Sequence, residues 1–98
     1  MNLSTLKPLC ERCLLLSKQL TDPDKIKRVE GLIDTLLANV DWPDLKIGVW
    51  LGSAETILIE NGVSSYEAER DFSRPIKHAY FTSIGEPIPA TTNVMENE

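Results

Sequence analysis

Two apolar series with one spacing, facing each other across a short break, constrain this chain more than anything else in it. Leu6, Leu9, Cys13, Leu16 and Leu20 step by three and four, and Ile26, Val29, Ile33, Leu36 and Val40 do the same. That spacing is the seam of a helix laying one narrow face against another helix. Folding the chain back at 21–24 pairs Leu20 with Ile26, Leu16 with Val29, Cys13 with Ile33, Leu9 with Leu36 and Leu6 with Val40, so both seams close in one register. The spacing predicts an antiparallel helical hairpin.

The ends of that hairpin are written in turn and cap residues. In Thr21-Asp22-Pro23-Asp24, Asp22 suits the N-cap, Pro23 the first helical position and Asp24 the positive end of the helix dipole. The second helix is expected to run to about Asn39, where Asp41-Trp42-Pro43-Asp44 stops it. For the first helix, either Ser4 or Thr5 caps it with Pro8 in the first turn, or it begins at Pro8.

From Leu45 the apparent period changes to two. Leu45, Ile47, Val49 and Leu51 alternate with Lys46, Gly48 and Trp50, the pattern of a half-buried strand. Ile57-Leu58-Ile59 followed by Asn61-Gly62 resembles a strand entering a two-residue hairpin turn, and residues 76–82 read as a last strand. The expected fold is α+β, with the helical hairpin packed on a small antiparallel sheet of three to four strands. Residues 1–83 form one domain and 84–98 a flexible tail. The competing assignment is all-α: Ser53 caps a helix ended by Gly62, a second helix starts near Ser64-Ser65 and runs through Phe72, and 53–72 resembles a helix-turn-helix.

Composition limits the function classes. With 42% hydrophobic and 26% charged residues the body should fold, and a formal net charge of -5 weakens a general case for nucleic-acid binding. The charge is uneven. Residues 1–40 carry six basic and five acidic groups, net +1, whereas 41–98 carry four and ten, net -6. No apolar run is longer than Cys13-Leu14-Leu15-Leu16, far short of the roughly 20 residues that span a bilayer. The first twenty residues carry no signal-peptide pattern, and two cysteines at helical positions suit a reducing compartment, so a cytoplasmic location is expected.

Chemistry is sparse. Cys10-Glu11-Arg12-Cys13 has CxxC spacing, but no strand precedes it as in a redox site, and a zinc site lacks two further soft ligands. His78 is the only histidine and has no nucleophile or acid partner in the pattern. The expectation is therefore a non-enzymatic interaction module without cofactor or metal, acting on another protein by surface contact and forming a homodimer. A surplus apolar stripe on the first helix, Leu3, Cys10 and Leu14, is the expected dimer interface. Trp50 with an acidic face of Glu55, Glu60, Glu67, Glu69 and Asp71 is the expected partner site. The alternatives are a DNA-binding regulator built on the 53–72 segment and an acidic mimic of nucleic acid.

Overall fold

In the computed structural model, which describes residues 1–87, the chain forms four helices: α1 (Leu3–Ser17), α2 (Pro23–Ala38), α3 (Asp44–Glu60) and α4 (Tyr66–Ser83). Among the described residues there is no strand. The α+β expectation with its sheet is thus corrected to all-α, and of the expected tail, residues 88–98 lie outside the described part.

The hairpin forms as its spacing requires. Asp22 caps α2, its Oδ1 accepting from the Asp24 amide at 2.9 Å, with Pro23 opening the helix. α1 starts earlier than either expected boundary, because Asn2 caps it through the Thr5 amide at 2.9 Å. Pro8 consequently sits inside the helix rather than in its first turn. Leu6, Leu9 and Cys13 of α1 are buried against a core that also holds Val29, Ile33 and Leu36 of α2. Each such aliphatic side chain contributes about 1.5–3 kcal/mol of burial.

The strand reading of 45–51 fails for a physical reason. Ile47, Leu51, Ala54 and Leu58 are buried, and they step by four, three and four along one face of α3. Leu45 and Val49 also step by four, but along the opposite, outward face. Two helical stripes on opposite sides of one helix interleave into an apparent alternation. The Asn61-Gly62 turn is likewise a helix terminator: Gly62 has φ 73°, the Val63 amide donates to the Leu58 carbonyl at 3.0 Å, and the Gly62 amide to Ile59 at 3.1 Å. This is a Schellman ending, which requires the left-handed conformation that glycine adopts without strain.

The all-α alternative is right about that ending and about a helix starting beside Ser64-Ser65, but it misplaces the start of α3 and the end of α4. Ser53 lies inside α3, its hydroxyl donating to the Val49 carbonyl at 2.8 Å, while Ser65 caps α4 by accepting from the Ala68 amide at 3.1 Å. α4 continues through Pro75 to Ser83, where Gly85, at φ 74°, closes it with a second Schellman ending, Glu86 amide to Phe81 carbonyl at 3.0 Å. The expected strand at 76–82 is therefore the last third of a helix. α1, α2 and α3 pack on one another, and α4 is held mainly by α1 with little direct contact to α3. The molecule is a slab of 41 × 34 × 17 Å.

Candidate interaction surfaces

The residues expected to form sites are dispersed by the helical fold. Of the dimer stripe, Leu3 is 50% exposed, Leu14 is half-buried against the core, and Cys10 is fully buried inside it. The chain's own packing thus absorbs much of the surplus apolar surface of α1. Trp50 is half-buried and packs against Trp42 with the rings tilted 56° and 5.4 Å between centroids, and the Lys46 ammonium lies 3.9 Å over the Trp42 ring. The expected acidic face splits because α4 turns about 100° per residue, so Glu67, Glu69 and Asp71 cannot share one side. Glu67 and Asp71 are exposed, Glu69 is turned inward, Glu55 is half-buried, and Glu60 stands at the exposed end of α3.

Glu69 faces α1 and is the anchor of α4. The Arg12 Nε donates to both carboxylate oxygens at 3.2 Å and its Nη2 to Oε2 at 3.0 Å, while the Ser64 hydroxyl also donates to Glu69. Phe72 underlies the Arg12 guanidinium at 4.5 Å.

Beside this anchor, α3 and α4 border a cleft of about 580 Å³ whose walls carry Asp44, Glu55, Lys77, His78 and Tyr80 among others. Asp44 accepts from the Met1 amine and from the Tyr80 hydroxyl at 2.6 Å, and these bonds, the amine first, hold its carboxyl below the usual range. Burial raises the Glu55 carboxyl, opposed by Lys77 and reinforced by Glu69. The bond to Asp44, with burial second, pushes the Tyr80 phenol up to about 12.

A phenol raised in the folded state stabilises the fold fully below its ordinary value of 10.0, and that stability is lost as pH climbs through about 12. Tyr80→Phe is therefore expected to lower stability at neutral pH by about 1.5 kcal/mol, the worth of a hydrogen bond to a charged group. It should also flatten the alkaline loss of stability. Urea melts of both chains from pH 7 to 12 check this, and parallel alkaline limbs would contradict it.

The cysteines are placed for packing. Burial, helped by Glu11 for Cys10 and by Glu55 for Cys13, pushes their thiols up to about 11 and about 12, which keeps both protonated and poorly nucleophilic at neutral pH. Among the described residues no group of three or more His, Cys, Asp or Glu comes together as metal ligands would.

The second concave surface lies between α2 and α3. It is an open groove of about 920 Å³ with Gly48, Val49, Gly52, Ser53 and Thr56 along its α3 side, Lys25, Arg28 and Leu32 along its α2 side, and Glu60 and Asn61 at its end. Leu45 is 82% exposed and Val49 61%, both on this outward side of α3. Gly48 and Gly52 are mid-helix, where glycine costs about 1 kcal/mol against alanine. A Cβ added at either would meet nothing within 4 Å, so the chain's own packing does not require them. Sequence reasoning missed this surface, although Gly48-Val49-Trp50-Leu51-Gly52 places two small residues four apart, the spacing of one helix face.

The chain matches no protein-family model, no curated protein and no solved structure. Among the described residues no helix is long and apolar enough to cross a membrane.

Proposed function

We propose that this chain is a protein-docking module acting by surface contact, and that the outward face of α3 is its docking surface. One observation carries the reading: α3 is apolar on two opposite sides, and only one of them is covered. Ile47, Leu51, Ala54 and Leu58 fill the core, while Leu45 and Val49 project outward beside two glycines. Exposed apolar side chains grouped on one helix face mark a contact surface. The earlier expectation of an interaction module is kept, with its surface moved from Trp50 and the acids to Leu45, Gly48, Val49 and Gly52.

A helix-turn-helix reading of 53–72 is less well supported. Its second helix rests on α1 rather than on α3, and its first turn presents Glu67, which opposes a phosphate backbone.

Photoreactive benzoylphenylalanine placed at Val49 should give a discrete adduct in the native cell, whereas the same group at the exposed Asp71 should not. Identical adducts from both positions, or none from position 49, would overturn the reading.

A further inference from the structure

We infer that the cleft between α3 and α4 binds a small zwitterion, an α-amino acid with an aromatic side chain, whose ammonium meets Glu55 and whose carboxylate meets the cationic wall of α4. The site is separate from the outward face of α3, and neither proposal depends on the other.

The cleft follows from how α4 is held. The two helices are tied at their ends, by the connection 61–65 at one and by the Tyr80 hydroxyl donating to Asp44 at 2.6 Å at the other, and between those ties they make little direct contact. The space left is about 580 Å³, within the roughly 300–1,000 Å³ range of small-molecule sites.

Its charges are sorted by wall. α4 contributes Arg70, Arg74 and Lys77, which at spacings of four and three share one side of the helix, while α3 contributes Asp44 and Glu55. Several lining groups are already engaged: Asp44 by the Met1 amine and Tyr80, Glu69 by Arg12 and Ser64, and Arg70, whose Nε lies 3.6 Å from Asp71. Glu55 and Lys77 differ. Both are half-buried, and among the described residues neither makes a hydrogen bond or an ion pair. Lys77 is near enough to lower the Glu55 carboxyl, against the burial that raises it, yet the two do not close on each other. A charge partly withdrawn from water is costly until it is paired. Two opposite charges facing one gap without closing it are matched to a molecule that carries both.

That arrangement selects the class of ligand. A simple anion at Lys77 and Arg70 would bring its charge against Glu55 and the exposed Glu86, and a simple cation at Glu55 would meet Lys77. A zwitterion satisfies both walls. Phe81, half-buried and edge-on to Tyr80 at 5.5 Å between centroids, offers a ring for the ligand's side chain, and Tyr66 offers a second at the other end of α4.

Amide NMR of the full chain titrated with L-phenylalanine should show saturable shifts at Glu55, Arg70, Lys77 and Phe81 by about 10 millimolar, with α2 unmoved. Phenylpropionate, which lacks the ammonium, and phenethylamine, which lacks the carboxylate, should each bind about tenfold more weakly, the worth of one hydrogen bond to a charged group. Glu55→Gln should weaken phenylalanine by about the same factor without weakening phenylpropionate, and Lys77→Met should weaken phenylalanine without weakening phenethylamine. A purely structural role at either position would weaken all three ligands alike, which would overturn the assignment. So would the absence of saturable shifts, shifts centred on the groove between α2 and α3, or binding of phenylpropionate or phenethylamine as tight as that of the amino acid. None of these outcomes bears on the docking reading of α3.

Discussion

Arg12→Ala should destabilise the fold by about 3 kcal/mol, because it strands a carboxylate that the chain has already taken out of water. The Glu69 side chain is 7% exposed, and Arg12 supplies three of the hydrogen bonds it accepts. Removing the guanidinium leaves the Ser64 hydroxyl as its remaining donor among these bonds and takes the cation from the face of Phe72. For a domain of this size the loss corresponds to a fall in melting temperature of roughly 10–20 °C. Since α4 is held mainly by α1, its amides should exchange first. Arg12→Met combined with Glu69→Leu should recover most of the loss, because removing both charges also removes the penalty of burying one alone. A shift below about 0.5 kcal/mol for Arg12→Ala would mean that the pair is solvated and α4 is held some other way.

The second large effect is a contrast between two residues only two positions apart. Ile47 is fully buried, and Ile47→Ala should lower stability by about 3 kcal/mol. Val49→Ala, at a concentration where the chain is monomeric, should change stability by less than about 0.5 kcal/mol. A strand carrying Leu45, Ile47, Val49 and Leu51 on one buried face would make both substitutions costly. Urea unfolding of the two variants separates the cases, and comparable losses would contradict the helical register of α3.

The two halves of the chain differ in how far local pattern declares the fold. In α1 and α2 the seam residues Leu6, Leu9 and Cys13 and their counterparts Val29, Ile33 and Leu36 are all buried, with a turn between the helices and a cap at Asp22, so spacing, turn chemistry and capping agree. In α3 they conflict. Its second apolar stripe faces outward, and superposing two stripes of period near 3.6 on opposite sides erases the helical signal and imitates a period of two. The β-branched Ile57 and Ile59 and the Asn61-Gly62 turn then support a hairpin, although the same glycine serves a helix end equally well. In α4 the interior Pro75 reads as a break, yet the helix continues through it.

The candidate surface was hidden by the same error, since a strand reading buries Leu45 and Val49 beside Ile47. The Arg12–Glu69 anchor spans 57 positions and no local spacing announces it. Expecting Glu67, Glu69 and Asp71 on one face followed directly from the wrong period. Outward apolar surface includes Leu45 and Val49 on α3, which a strand reading hides, as well as Leu3 on α1, whereas Cys10 of the expected α1 stripe is in the core.

Everything assigned to the outward face depends on Asp44 to Glu60 being one uninterrupted helix. Backbone ¹³Cα chemical shifts measure this residue by residue. An unbroken run of helical shifts is expected from residue 44 to 60, ending at Gly62. Extended shifts across 45–51, or across 56–60, would contradict it and return Val49 to the same face as Ile47.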